Sequence, residues 1–227
     1  HLQRRRQRQM CIRDRWQFMF YTALENGLTM NSYVDERMDP FKSTQAAAAY
    51  LNKLYRIHND WNLVLASYNA GPRTISRAKK KSGGYINYWN MRPFLPSETA
   101  NYIPSFIATM YIFEYASEHG IDTYKNEKPI LSTEKIKIKD KIAFEHISDF
   151  FDYPTDSIRR LNPSYIHGIV PGKNKNELRL PTKLVDSFIM REEEFYTFAK
   201  SEFDKREKPL PDLYSIDSKL VYKVKYG

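Results

Sequence analysis

Three short stretches carry side chains whose types and order point to one shared task. They are Trp16-Gln17-Phe18-Met19, then Ala66-Ser67-Tyr68-Asn69-Ala70-Gly71-Pro72, then Glu98-Thr99-Ala100-Asn101-Tyr102-Ile103-Pro104. The middle stretch sets a hydroxyl, Tyr68, and a carboxamide, Asn69, at a helix C-terminus beside small residues. Another backbone or a ligand can approach closely there. Taken alone, that stretch is better read as a capped and packed helix end, and it is the ordered set of three that is specific. His58, His119, His146 and His167 show no metal-ligand spacing, so surface or partly buried histidine is the reading for each, and no metal or cofactor is expected. The single cysteine, Cys11, excludes a disulfide framework.

The elements that must position these residues belong to a globular chain. Its 227 residues are 41% hydrophobic and 15% aromatic, with 17 tyrosines, enough to bury a core and suited to one mid-sized domain plus a smaller one. No segment approaches the apolar length of a transmembrane helix. The formal charge is +9, but residues 1–15, rich in arginine, hold five of those charges, and the remainder is mildly basic. A mildly basic surface suits a polyanionic polymer or is merely solvated. With no basic–aromatic interleaving beyond the arm, a nucleic-acid partner is not expected.

Residues 16–120 read as helices with short connections. Trp16–Gly27 has a helical period and closes on a glycine. Asp39 caps a helix opening at Pro40, and Asp60 caps Trp61–Ala70, which Gly71-Pro72 stops. A short basic helix follows, closed by Gly83-Gly84. The longest helix spans the region from Ser97 to Gly120, with Ile103, Phe106, Ile107, Met110 and Phe113 as one buried face. Residues 121–135 read as a linker. Residues 136–184 read as a small βααβ domain, with strands at Ile136–Ile138 and Leu178–Pro181 around two helices broken at Pro154. Residues 185–218 are too charged to bury much and read as linker or surface helix. Residues 219–227 begin a further strand, read as the start of a second unit of the same βααβ kind.

With their order and spacing, the three stretches resemble the lytic transglycosylases of glycoside hydrolase family 23, in the lysozyme-like superfamily. The match covers residues 16–120, and Asn31–Leu51 resembles the family's sequence between its motifs. The βααβ region resembles LysM, a module that binds N-acetylglucosamine-containing polymers, with Leu161-Asn162-Pro163 after its second helix. Lys139-Asp140-Lys141 replaces the usual glycine-aspartate turn. The fold class expected is therefore mainly α: an incomplete lysozyme-like helical domain followed by a small α+β LysM-like domain.

The resemblance implies a reaction. One glutamic acid protonates the bond between N-acetylmuramic acid and N-acetylglucosamine, then acts as base while the muramyl 6-hydroxyl closes on C1 to give a 1,6-anhydro end. It also implies roles. Tyr68 and Tyr102 would line the cleft and orient the acid or the sugar. Asn69 would hold backbone or a sugar amide, and Gln17 and Met19 would contact saccharide. Trp16 and Phe18 are read as core, and Glu98 as a cap of the longest helix. Phe20 stands where the family usually has proline.

The family's acid precedes the first motif, where this chain has only Asp14. Glu25 and Glu36 match non-catalytic positions, so no catalytic acid is nominated. Residues 1–15 are read as a non-native arm, and both ends as truncated. Peptidoglycan glycan strands are the expected partner, for a monomer in the cell envelope, in the periplasm or at the outer membrane of a Gram-negative bacterium. Any membrane association is expected through a missing N-terminal segment. The alternative is a peptidoglycan or N-acetylglucosamine binder without turnover.

Overall fold

The structure, a computed structural model, describes residues 16–121, 132–172, 176–205 and 210. The non-native arm read at residues 1–15 and the further strand read at residues 219–227 lie outside the described residues. Packing divides the chain into two compact units, one of Ala47–Lys128 and one of the residues before and after it. The mainly α architecture with a small β region agrees with the sequence reading.

The first element, α1, is Phe20–Glu25. It is shorter than the period suggested, because Gln17 sits at a φ of 52°, outside the right-handed helical region. Phe20 is therefore the first helical residue, where the missing N–H of a proline would cost nothing and phenylalanine also fits. A 3₁₀ turn, Glu36–Met38, leads to α2, Pro40–His58. Asp39 Oδ1 accepts from the backbone N–H groups of Phe41 and Lys42 at 2.9 and 3.0 Å, the cap expected from Asp-Pro.

In the Ala47–Lys128 unit, α3 is Trp61–Ala70, α4 Pro72–Lys81, α5 Tyr88–Met91 and α6 Ser97–Glu114. Asp60 Oδ1 accepts from Leu63 N–H at 2.9 Å, and Gly71, at a φ of 82°, separates α3 from α4. Leu63, Ala66, Ile75, Ala78, Tyr88, Met91, Leu95 and Ile103 form the core. The buried face expected of α6 holds only at its N-terminal end. Ile103 is buried, but Phe106, Ile107, Met110 and Phe113 are 40–79% exposed. Helical period identifies residues that share a face, but another element must cover that face before they are buried. At 18 residues α6 is also shorter than α2, with 19.

In the other unit, β1 (Thr133–Ile138) pairs antiparallel with β4 (Asn176–Pro181), Ile136 opposite Leu178, and β2 (Ile142–Ala143) pairs with β3 (Ile169–Val170). Between them lie α7, Phe144–Phe151, and α8, Thr155–Leu161, the expected βααβ order. Asn162 closes it: its Nδ2 donates to the carbonyls of Ile158 and Arg179, and its Oδ1 accepts from Arg179 N–H at 2.7 Å. Gly172 admits the loop at Asp140, whose carbonyl carbon lies 2.4 Å from where a Cβ would stand.

Residues 185–204 correct the linker reading. They contribute to α9, Thr182–Met190, and α10, Glu192–Asp204. Val185, Phe188, Phe195 and Ala199 enter the same core as Ile138, Phe144, Ile147, Ile158, Leu178 and Leu180. The average polarity of the segment hides one apolar stripe at helical spacing. Tyr33 and Val34 belong to this core as well.

Candidate functional site

The first motif is a short extended segment ahead of α1. Phe18 is 2% exposed and anchors it, while its neighbours Gln17 and Met19 lie exposed on either side. The left-handed backbone at Gln17 turns the chain there. Trp16 is half-buried, and its Nε1 donates to Thr44 Oγ1 at 2.9 Å. The core reading thus fits Phe18 fully and Trp16 in part.

Arg37, which sequence reasoning did not single out, holds this segment. It is 6% exposed and pairs side by side with Asp35: Nε donates to Oδ1 at 2.9 Å and Nη2 to Oδ2 at 2.6 Å. Its Nη1 donates to the carbonyl of Phe18 at 3.3 Å. A planar guanidinium can serve a carboxylate and a carbonyl at once, which an ammonium cannot do with the same geometry. The signal was available in Asp35-Glu36-Arg37, but a charged run reads by default as a solvated face.

Tyr68, Asn69 and Tyr102 lie in the other unit. Asn69, on the last turn of α3, accepts through Oδ1 from Thr99 Oγ1 at 2.8 Å, with Thr99 buried on the first turn of α6. The second and third motifs are thereby tied together. Tyr102 follows Thr99 by one turn and packs half-buried against the unit's core. Tyr68 is half-buried, its ring 5.7 Å from that of Tyr50 and tilted by 48°. Behind them Ser67, fully buried, shares a 2.6 Å hydrogen bond with His58 Nε2. Burial pushes the His58 pKa below its ordinary 6.5, against the nearby Asp60 carboxylate.

Pro104 explains a second missed pair. As an imide it cannot donate to the Ala100 carbonyl one turn earlier. That carbonyl accepts instead from the Tyr88 hydroxyl at 2.9 Å and from Arg92 Nε at 2.8 Å. Tyr88 is fully buried, and burial raises its pKa. The start of α6, and with it Thr99 and Tyr102, is therefore fixed by a carbonyl that the proline frees.

Glu98 lies in the first turn of α6, where its charge favours the helix dipole, but the cap position belongs to Pro96 and no side chain caps it. Glu25 is exposed at the end of α1. Glu36 accepts from Thr29 N–H at 2.7 Å and pairs with Lys42.

The site geometry can be set beside known proteins. The family model described as Transglycosylase SLT domain matches residues 16–89, through the first two motifs and short of the third. The model described as Lytic transglycosylase MltD, LysM-like domain, matches residues 132–197, past the expected end at 184 and into α10. Membrane-bound lytic murein transglycosylase D of Escherichia coli strain K12 is 23% identical over 180 residues, covering 72% of this chain and 39% of the relative. The protein of that name from E. coli O6:H1 gives the same figures. The chain spans about two fifths of the length of these curated relatives. It carries, then, a transglycosylase SLT domain followed by a LysM-like domain of the lytic transglycosylase MltD type, and is homologous to membrane-bound lytic murein transglycosylase D.

Proposed function

We propose that this chain serves lytic cleavage of peptidoglycan, at the bond between N-acetylmuramic acid and N-acetylglucosamine, with 1,6-anhydromuramyl ends as product. The observation that carries the reading is the Thr99–Asn69 hydrogen bond, which holds the second and third motifs as one rigid corner carrying Tyr68 and Tyr102. Hydroxyls and a carboxamide so held suit the hydroxyl and acetamido groups of an amino sugar. Gln17 and Met19, exposed beside buried Phe18, supply a further amide and a thioether for a sugar face. The LysM-like domain would bind N-acetylglucosamine units of the same polymer, and the cell envelope is where that polymer lies. A monomer suffices for these roles. Among the described residues no helix is long and apolar enough to cross a membrane.

A second reading, glycan binding without turnover, is favoured by one observation. None of Glu25, Glu36 and Glu98 stands as a desolvated acid: the first is exposed, the second is paired with Lys42, and the third lies in a helix's first turn. A general acid at neutral pH needs a raised pKa and so a dry site. Incubation of the chain with purified sacculi separates the readings. Anhydro ends in the released muropeptides establish turnover. Retention on sacculi without them establishes binding alone, and neither result would leave both readings unsupported.

A further inference from the structure

Residues 29–36 form a tight turn. The Thr29 carbonyl accepts from Glu36 N–H at 3.0 Å, and Asn31 Oδ1 accepts from the N–H groups of Tyr33 and Val34 at 2.9 and 2.8 Å. One side of the turn pairs as a strand with the LysM-like domain. Asp35 N–H donates to the Ser164 carbonyl at 2.8 Å, Ile166 N–H donates to the Tyr33 carbonyl at 3.0 Å, and Val34 bridges Tyr165 antiparallel. Tyr33 and Val34 are 3% and 5% exposed, within the core formed by Phe144, Ile158, Leu178 and Leu180. The Arg179 guanidinium of β4 lies 4.6 Å from the ring centre of Phe41, at the start of α2 just beyond the turn. Asp35 thus has two attachments: its backbone pairs with Ser164, and its carboxylate clamps Arg37, which holds the carbonyl of Phe18.

We propose that the LysM-like domain acts as a positioning element for the Gln17–Met19 segment, through the Tyr33–Arg37 turn built into its core. A module tethered only to bind glycan needs no such contact with the first motif. Here the chain Glu177–Tyr165–Val34–Asp35–Arg37–Phe18 is continuous from the domain's sheet to the motif: the Tyr165 hydroxyl donates to the Glu177 carbonyl of β4 at 2.6 Å, and Tyr165 bridges Val34. That Gln17 and Met19 meet saccharide rests on the functional reading above, whereas the mechanical coupling does not.

Hydrogen exchange of the intact chain in rising, subdenaturing urea tests it without any variant. The amides of Phe18, Asp35, Arg37 and Ile166 should open together with those of β1 and β4, with one urea slope. If Phe18, Asp35 and Arg37 instead open at lower cost and with a smaller slope than β1 and β4, the proposal is overturned. The ¹³C-methyl resonance of Met19 reports position rather than stability. Tyr33→Ala should shift it and speed exchange at Phe18 at least tenfold, and Tyr33→Phe should restore both. A Met19 resonance and Phe18 exchange unmoved by Tyr33→Ala would overturn the proposal as well. Neither measurement uses glycan, so a failure to bind or cleave sacculi counts against the functional reading alone.

Discussion

Thr99 Oγ1 donates to Asn69 Oδ1 at 2.8 Å, joining two motifs that lie thirty residues apart in the chain. Thr99 is 2% exposed, so the bond is shielded from water on that side. Thr99→Val keeps the shape and removes the donor. It should cost about 1 kcal/mol in denaturant unfolding, the usual net worth of such a bond. On the functional reading it should also weaken retention on sacculi as Asn69 loses its fixed orientation, whereas Thr99→Ser should keep both. Unchanged retention with Thr99→Val would show that Asn69 orientation does not matter to binding.

Tyr88→Phe removes one of the two donors to the carbonyl that Pro104 frees. The expected loss is about 1–2 kcal/mol. Pro104→Ala supplies a backbone N–H that can take the same carbonyl, so the cost of Tyr88→Phe should shrink in that background. A double-mutant cycle reads the coupling, and strict additivity would rule the explanation out.

His58 gives a pH dependence of definite sign. Its folded-state pKa lies below 6.5 because burial disfavours the imidazolium, so in the window between the two values the unfolded chain binds more protons. Stability should be full above about pH 6.5, close to the unperturbed histidine value, and fall as the solution is acidified through the folded value. In His58→Gln the fall over pH 7 to 5 should flatten, as followed by thermal melts. An unaltered slope would assign the acid sensitivity to other groups.

Asn162 makes three hydrogen bonds while 5% exposed, two donated and one accepted. Asn162→Ala leaves buried backbone groups of Ile158 and Arg179 without their partner. The loss should reach about 3 kcal/mol, and Asn162→Asp should recover only the accepted bond. Urea unfolding followed at Tyr165, the core tyrosine beside it, measures both.

Met19 is 45% exposed, so its substitution should leave the fold alone. Met19→Glu is expected to change unfolding by less than about 0.5 kcal/mol. On the functional reading it should reduce retention on sacculi several-fold, by setting a charge where a sugar face would pack. Equal retention would remove Met19 from the contact surface.

Much of the fold was legible because its signals are local. Asp39-Pro40, Asp60 and Gly71-Pro72 set helix boundaries through their own backbone needs, and each boundary stands where those residues predict it. The βααβ order followed in the same way from Pro154 and the flanking apolar strands. The first motif was harder. Its helical period extended over Trp16–Met19, but the helix begins at Phe20, since periodicity does not reveal a left-handed residue such as Gln17. The polar segment after residue 184 was misjudged because a stripe of Phe188, Phe195 and Ala199 weighs little against many glutamates.

By itself the sequence determined the helix boundaries at Asp39-Pro40, Asp60 and Gly71-Pro72, the order of the motifs and the family they resemble, for these depend on neighbours within a few residues. Only the tertiary structure decided that Arg37 faces inward onto Phe18, that Thr99 finds Asn69, and that Tyr33 and Val34 belong to the LysM-like core. It also decided that most of the apolar face of α6 is left exposed among the described residues. The physical reason is the same in each case. A charge, a hydroxyl or an apolar face takes its role from the partner that covers it, and those partners come from distant parts of the chain.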